Sequence, residues 1–257
     1  MQNKEYDYWK IEKDENIIWL KVDNPKKRNA FNEALVEELH EILLDIKKDG
    51  SIRALVVTSE SDEYFCSGAD INWFYGATKE DGEEISKRSH SIFGELENIP
   101  FPVIAAIKGL NLTAGLEMTI ACDIIIAADN AKFGQIETKW GLTPGGGGTQ
   151  RLTQLIGPLK TRELIYTADI IDATEARRIG LVNDVVPLAE LDDYVTNLCN
   201  RIAKNSQRAV MESKFLIQKA VYMNKEGFDA EEIVFGKDFD SGEPKQRFSS
   251  FIKKHKS

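Results

Sequence analysis

Residues 101–128 read FPVIAAIKGLNLTAGLEMTIACDIIIAA, and this stretch decides the fold. It opens with an apolar run, 101–107, that is typical of a strand buried on both faces of a parallel sheet. Small residues around Gly115 then crowd the start of a helix, and a second apolar run, 124–128, predicts the next strand. A strand, a helix and a strand in this order predict an α/β fold with a parallel sheet.

The chain before this stretch follows a similar plan. Residues 8–22 predict a β-hairpin around turn residues 14–16, and residues 54–58 predict another buried strand. Between them, Asn32 is a suitable N-cap for an amphipathic helix whose apolar stripe runs from Leu35 to Ile46. A further helix is predicted at 85–96.

The chain after Arg151 has mostly helical patterns, at 160–168, 173–179, 188–203 and 208–222. The sheet is therefore expected to be N-terminal, with helices following it. No repeat, low-complexity segment or Pro/Ser-rich linker divides the chain.

Composition excludes several classes of protein. Of the 257 residues, 42% are hydrophobic and 29% are charged, as is usual for globular domains. The net charge of −9 repels nucleic-acid phosphates and anionic lipids, so we expect no nucleic-acid partner. No apolar run reaches the roughly 20 residues of a membrane-spanning helix, so we expect no membrane partner either.

The cysteines indicate a reducing compartment. Cys66, Cys122 and Cys199 are odd in number and widely spaced, with no CxxC pattern, so neither a disulfide framework nor a metal site is predicted. Residues 1–10 lack the features of a signal or transit peptide. We therefore expect a soluble, cytoplasmic protein.

Two glycine-containing loops can expose backbone N–H groups. Residues 65–70, FCSGAD, follow a predicted strand, and Gly68 allows a tight turn there. Residues 109–117, GLNLTAGLE, lead into a helix, whose first N–H groups are unpaired and create a positive potential. Such loops can hold a polarised carbonyl oxygen. Taken alone, the first loop is more often an ordinary turn between a strand and a helix, and the second is also explained by close packing of a helix on the sheet.

Two glutamates have apolar neighbours. Glu117 lies on a helix that otherwise has a buried pattern, and Glu137 follows the strand at 124–128. A buried carboxylate is costly, although each acid alone is more often a surface or capping residue. Two such acids beside a shared water are what general acid/base chemistry needs, because nearby carboxylates push their pKa values apart.

Several other chemistries lack a motif. The run PGGGGTQR at 144–151 has no Gly-Lys-Ser/Thr ending, so it is not a P-loop, and we interpret it as a tight entry into a helix near Arg151. No GxSxG occurs, and His40, His90 and His255 lie in charged helical contexts. Nucleotide binding and serine hydrolysis are therefore not predicted.

Taken together, the motifs and their order resemble the crotonase (enoyl-CoA hydratase/isomerase) superfamily over essentially the whole chain. The segments that carry the resemblance are NPKKRNA at 24–30, FCSGAD at 65–70, GLE at 115–117, ACD at 121–123, FGQIE at 133–137, PGGGGTQRL at 144–152, ATEARRIGLV at 173–182 and FIKK at 251–254.

This resemblance implies an α/β fold with a crotonase-like ββα spiral core, here assigned to residues 1–200. A C-terminal helical trimerisation region would occupy residues 201–257. The implied assembly is a homotrimer or a dimer of trimers. The implied substrate is an acyl-CoA thioester, and no separate cofactor is expected because coenzyme A is part of that substrate.

The resemblance also assigns roles to particular residues. The backbone N–H groups of Ala69 and Ala114 would form an oxyanion hole around the thioester carbonyl. Glu117 would activate water and Glu137 would give a proton to C2. The residues expected to contact coenzyme A are Lys26, Arg28, Ser67, Ala69, Asp70, Ile71, Phe251 and Lys254, the last two reaching a CoA of the same or a neighbouring subunit.

Two tryptophans are expected to line the acyl pocket, Trp73 and Trp140. Trp140 follows Glu137 by three residues, so a helical or turn-like path would bring its indole to the same side. Packing in the core is an equally good interpretation, because large aromatic side chains are usually buried for packing. The family often has three glycines where this chain has Thr113-Ala114-Gly115, and the Cβ of Ala114 would narrow the pocket.

Fold identity alone does not fix the reaction. Hydratases of the family carry both acids, whereas many of its isomerases keep only the second, so Glu117 and Glu137 together favour an enoyl-CoA hydratase. The alternatives are an enoyl-CoA isomerase, a hydratase of branched or cyclic dienoyl thioesters, and a non-catalytic acyl-CoA or RNA-binding relative. The charge of −9 argues against RNA.

Overall fold

The computed structural model describes residues 4–221 and 226–254. The strands in this part of the chain are β1 (Trp9–Asp14), β2 (Ile17–Val22), β3 (Ala54–Ser59), β4 (Tyr64–Cys66), β5 (Val103–Ile107), β6 (Leu110–Leu112), β7 (Ile124–Ala128), β8 (Lys132–Gly134), β9 (Ile170–Asp172) and β10 (Asp184–Val186). The α-helices are α1 (Glu33–Ile46), α2 (Ile71–Phe74), α3 (Lys79–Glu97), α4 (Ala114–Thr119), α5 (Gly148–Thr167), α6 (Ala173–Arg178), α7 (Leu191–Ala203), α8 (Gln207–Val221), α9 (Glu226–Asp240) and α10 (Glu243–Lys254).

The large sheet has six strands in the order β1-β2-β3-β5-β7-β10. The β1–β2 hairpin is antiparallel, and the other neighbours are parallel. Every residue of β3 and β5 is buried, because α1 lies on one face of the sheet and α7 on the other. Continuous apolar runs are typical of strands covered on both faces.

The small sheet has four strands in the order β4-β6-β8-β9. β4, β6 and β8 are parallel to one another, and β9 is antiparallel to β8. Each of the three parallel strands follows a large-sheet strand and precedes a helix, so the chain repeats the order β3-β4-α2, β5-β6-α4 and β7-β8-α5. The predicted ββα spiral is confirmed. The carboxyl ends of β4, β6 and β8 meet at one edge, which is where parallel sheets bind ligands.

Most predicted elements are confirmed, and some bounds differ. Asn32 caps α1, where its Oδ1 accepts from Leu35 N at 2.8 Å. α3 begins six residues earlier than predicted, because its charged first turns carry no apolar stripe and a Thr78–Asp81 capping box starts it. α5 begins at Gly148, before Arg151. Tyr222, predicted to end a helix, lies outside the described residues.

The chain after Arg151 is mostly helical, as predicted, but the expectation that the sheet ends before this part of the chain is wrong. β9 and β10 lie in that part of the chain, and β10 adds to the edge of the large sheet beside β7. Each has three residues, too few to show the period-2 pattern by which a strand is predicted.

The C-terminal helices fold back over the carboxyl edge of the small sheet. Phe235 and Phe239 of α9 pack against Phe74, with ring centroids 6.1 Å away in each case. Phe248 and Phe251 of α10 contact Trp140. No helix in residues 4–221 and 226–254 is long and apolar enough to cross a membrane.

Candidate active site

A cavity of about 590 Å³ lies at the carboxyl edge of the small sheet. The loops that follow β4, β6 and β8 line it, and α3, α9 and α10 close it. It extends from the exposed basic segment Lys26–Arg28 to the buried carboxyl groups of Glu117 and Glu137. The structure therefore brings together residues that are more than a hundred positions apart in the sequence.

Two alanines line this cavity from different loops. After β4, Phe31 N donates to Gly68 O at 2.8 Å and Asp70 N donates to Phe31 O at 2.7 Å, and Ala69 lies between these two bonds. Ala114 is the first residue of α4, where N–H groups have no intrahelical acceptor. Within the described residues, neither Ala69 N nor Ala114 N donates to a protein acceptor. Both alanines line the cavity, as an oxyanion hole requires.

Thr113 joins the two loops and has an unusual backbone. Its φ of 47° and ψ of −118° lie in a region that favours glycine, at a cost of about 1–3 kcal/mol for other residues. A Cβ added to Gly68 would lie 2.3 Å from Thr113 Oγ1, so the two loops touch at this point. The contact fixes the loop of Ala69 against the loop of Ala114.

The buried thiol of Cys66 packs against both loops. Cys66 Sγ lies 3.3 Å from both Gly68 N and Gly68 O, and a Cβ on Gly115 would meet it at 2.9 Å. Burial raises the pKa of the Cys66 thiol to about 12. It therefore stays neutral, so its contribution is packing and not nucleophilic attack.

Glu117 is held by the glycine run. Its Oε1 accepts from Gly146 N at 2.8 Å and from Gly148 N at 2.9 Å. A Cβ on Gly146 would lie 2.6 Å from Glu117 Oε2, so a side chain does not fit there. The interpretation of this run as a helix entry is thus incomplete: its N–H groups also bind a carboxylate on α4.

Glu137 begins a 3₁₀ turn after β8 and is also buried. Gln135 Nε2 donates to its Oε1 at 2.6 Å. A Cβ placed on Gly148 would lie 2.9 Å from both Gln135 Nε2 and Glu117 Oε1, so Glu117 and the glutamine that binds Glu137 approach the same glycine. Two carboxyl groups in one enclosed cavity can divide the roles of acid and base.

The mouth of the cavity is basic. Ser67 N donates to Arg28 O at 3.1 Å, which holds the loop of Lys26, Lys27 and Arg28 beside the loop that follows β4. Lys27 Nζ lies 3.4 Å from Asp70 Oδ2. Burial opposes ionisation of Asp70, but hydrogen bonds from Asn72 and the Lys27 charge outweigh it and lower the pKa of Asp70. The mouth combines three exposed cations with one ionised carboxylate.

Aromatic side chains form part of the cavity wall. Trp73 stacks on Phe74 at 5.6 Å between ring centroids, and Trp140 contacts Phe251 edge-on at 5.0 Å. Trp73, Phe74, Trp140 and Phe251 all line the cavity, as does Ile71. Phe251 thus faces the cavity of its own chain.

The predicted residues line this cavity with one exception. Lys254 is exposed near the end of α10 and is not among the lining residues. Sequence reasoning missed the N–H groups of Gly146 and Gly148, which bind Glu117, and the side chain of Gln135, which binds Glu137. The glycine run was the available signal for the first pair, since consecutive glycines allow close approach to a backbone.

Comparisons with known proteins agree with one another on the family. A family model described as enoyl-CoA hydratase/isomerase matches residues 12–257. The crotonyl-CoA hydratase of Syntrophomonas wolfei is 37% identical over 248 residues, 96% of this chain and 95% of that protein. The short-chain-enoyl-CoA hydratase of Clostridium acetobutylicum is 36% identical over 249 residues, again 96% and 95%. The solved structure of an enoyl-CoA hydratase from Bacillus anthracis has a TM-score of 0.81 and 32% identity, covering 90% of each chain.

Proposed function

The chain belongs to the enoyl-CoA hydratase/isomerase family, and we propose that it is an enoyl-CoA hydratase, a hydro-lyase that reversibly adds water across the 2,3 double bond of a 2-enoyl-CoA thioester. The observation that carries this function is the pairing of two buried acids, Glu117 and Glu137, in a cavity with two free N–H groups. Hydration needs a base for water and an acid for carbon, and both are present.

The oxyanion hole activates the substrate. The thioester carbonyl oxygen accepts hydrogen bonds from Ala69 N and Ala114 N, which draw electron density from C3. When water attacks C3, the π electrons move to this oxygen and form an enolate. Preorganised donors directed at such developing charge are usually the largest single contribution to catalysis.

The two acids move the protons. Glu117 orients water and takes its proton as the oxygen bonds to C3, and Glu137 gives a proton to C2 as the enolate collapses. Two backbone N–H groups donate to Glu117 Oε1, and such donors stabilise a carboxylate. They support the role of Glu117 as the base, because a base must be ionised to accept a proton. In the net reaction, one O–H bond of water and the π bond between C2 and C3 break, and one C–O and one C–H bond form. A proton then passes from Glu117 back to Glu137, which restores both acids for the next turnover.

The coenzyme A part of the substrate lies toward the basic mouth. Lys26 and Arg28, together with Lys27, attract its phosphates, since exposed cations bind anionic oxygens. Ser67, Asp70 and Ile71 line the same end of the cavity and contact the adenosine. Phe251 closes this end from α10.

The acyl group is an uncharged one. Among the described lining residues, the cations are Lys26, Lys27 and Arg28, and all three lie at the mouth. The inner wall carries apolar side chains, those of Phe74, Phe93, Trp140, Leu142 and Phe235. A terminal carboxylate would be buried there without a partner, which is costly.

The protein forms a homotrimer or a dimer of trimers, with the C-terminal region 201–257 contributing to the interface. Large apolar side chains are exposed on α8 and α5, among them Leu216 at 65% and Leu159 at 79% exposure. Exposed apolar surface of this kind marks interfaces. Light scattering should give a mass near three or six chains, and a monomer at every dilution would contradict the assembly.

A substrate screen tests the reaction. The purified protein is mixed separately with crotonyl-CoA, 3-methylcrotonyl-CoA, 3-methylglutaconyl-CoA, a cyclic enoyl-CoA and a 3-enoyl-CoA. Hydration removes the absorbance of the conjugated thioester, so the first substrate should lose it and the carboxylated one should lose it far more slowly. Absorbance gained from the 3-enoyl thioester, with none lost from the others, would make the protein an isomerase and overturn the proposal.

A further inference from the structure

Ser86 is a buried polar residue that the proposed mechanism does not use. It lies on α3 with an exposure of 0%, and its hydroxyl donates to Gly145 O at 2.7 Å. Neighbouring positions on α3 carry the charged residues Glu83, Glu84, Lys87 and Arg88, so a serine here has no distinctive pattern in the sequence. Its acceptor lies 59 residues away.

The acceptor belongs to a peptide group that touches Glu117. The carbonyl of Gly145 and the N–H of Gly146 form one planar unit and point in opposite directions. Ser86 donates to the carbonyl side, and the N–H side donates to Glu117 Oε1 at 2.8 Å. The hydroxyl, the peptide and the carboxylate therefore form one chain of hydrogen bonds.

Such a chain does two things. A donor on the carbonyl polarises the peptide and strengthens its N–H as a donor, because linked hydrogen bonds are cooperative. The donor also fixes the orientation of the peptide plane, which is soft where glycines follow one another. Gly147, for example, has a φ of 102°.

A second contact holds the next peptide of the loop. Arg151, which is buried and paired with Glu97, donates from a guanidinium nitrogen to Gly146 O at 2.8 Å. This contact anchors the loop, but it lies on a different peptide group. Ser86 is bonded to the Gly145–Gly146 peptide, one of the two peptides whose N–H groups donate to Glu117 Oε1.

We infer that Ser86 is a positioning residue, which holds the Gly145–Gly146 peptide so that its N–H stabilises the carboxylate form of Glu117. The inference rests on the proposed function in assigning Glu117 as the base. Among the described residues, two charged neighbours of Glu117 are Glu137, which lines the same cavity, and the Arg151–Glu97 pair, whose arginine donates to Gly146 O. Neither is altered by removal of the Ser86 hydroxyl.

The test compares Ser86→Ala with Thr58→Val. Thr58 lies on β3, is buried, and donates from its hydroxyl to Ala106 O at 2.7 Å, so the control loses a matched bond away from the cavity. With crotonyl-CoA, Ser86→Ala should lower kcat about tenfold, the effect of one lost hydrogen bond, with little change in KM. In a plot of its kcat/KM against pH, the acid limb should move to higher pH. Thr58→Val should keep the profile of the unaltered protein.

A measurement that does not depend on turnover, the NMR titration of Glu117, separates this inference from the proposed function. Protein labelled with carboxyl-¹³C glutamate is titrated by NMR, and Glu117→Gln identifies the Glu117 resonance. Ser86→Ala should raise the titration midpoint of Glu117 whether or not the protein hydrates crotonyl-CoA. An unchanged midpoint, or an equal shift in Thr58→Val, would overturn the inference. If Ser86→Ala does not fold, Ser86→Cys, which keeps a weak donor, should show a smaller shift in the same direction, and no shift there would also overturn it.

Discussion

The two sheets of this protein differ in what they carry. The large sheet has long, fully buried central strands, and none of its strands contributes to the described lining of the cavity. The parallel strands of the small sheet have three residues each, yet each leads into a loop that lines the cavity. The large sheet thus supplies most of the buried apolar surface, and the small sheet positions the chemistry. Substitutions in the large sheet should therefore change stability more than turnover, and substitutions in the small-sheet loops should change turnover more than stability.

The largest effect on turnover should come from the acids that follow β6 and β8. Glu117→Gln and Glu137→Gln should each lower kcat by at least about a hundredfold, the contribution of a general acid or base. Acyl-CoA should still bind, because the N–H groups and the mouth are unchanged. Steady-state hydration kinetics and calorimetric binding measure the two quantities. Near-normal turnover in either variant would remove that glutamate from the mechanism.

Two glycine-to-alanine variants test whether the glycine run holds Glu117. Gly146→Ala places a Cβ 2.6 Å from Glu117 Oε2, so we expect kcat to fall at least about tenfold as the carboxylate is displaced. Gly50, in the turn before β3, has nothing within 4 Å of an added Cβ, so Gly50→Ala should have normal kinetics. Equal kinetics for both variants would show that the glycine run does not hold Glu117.

More of the large sheet than of the small sheet was predicted from the sequence. The apolar runs that became β3, β5 and β7 are five or six residues long, enough to predict buried strands. The three-residue strands β4, β6 and β8 carry no periodic signal, so the sheet that positions the site was not predicted from patterns.

For the site, family resemblance supplied what patterns could not. It gave separate roles to Glu117 and Glu137, which their apolar neighbours had already singled out, and it identified the N–H groups of Ala69 and Ala114. The structure brings these residues to one cavity. It did not identify the bonds from Gly146 N to Glu117 or from Ser86 to Gly145, because these join residues 29 and 59 positions apart. Such pairings depend on how α3, α4 and the glycine run pack together, which no local pattern records.

The variant Trp140→Ala tests whether the cavity wall determines which acyl groups the protein accepts. The indole both lines the cavity and packs on Phe251, so Trp140→Ala should enlarge the pocket. The ratio of kcat/KM for longer or bulkier thioesters to that for crotonyl-CoA should rise about tenfold, since pocket contacts are worth roughly 1–3 kcal/mol per methylene. A stability loss of about 3–5 kcal/mol with unchanged substrate ranking would instead identify a core residue.

The smallest effect on turnover should come from the large sheet. Leu55 is fully buried on β3, so Leu55→Ala should lower the free energy of unfolding by about 2–5 kcal/mol. The kcat per folded molecule should stay normal, because Leu55 is not among the described residues that line the cavity. Denaturant unfolding and active-site titration together measure both. A tenfold loss of kcat in folded protein would break the separation between the sheets.

The most direct test is a crystal structure with a bound thioester. Acetoacetyl-CoA has the thioester carbonyl of the substrate but no 2,3 double bond to hydrate. Its carbonyl oxygen should lie about 2.7–3.1 Å from both Ala69 N and Ala114 N. The C2 and C3 atoms should lie between Glu117 and Glu137, and the phosphates beside Lys26 to Arg28. A thioester oxygen bonded to neither N–H group, or an acyl chain directed away from the two acids, would contradict the account.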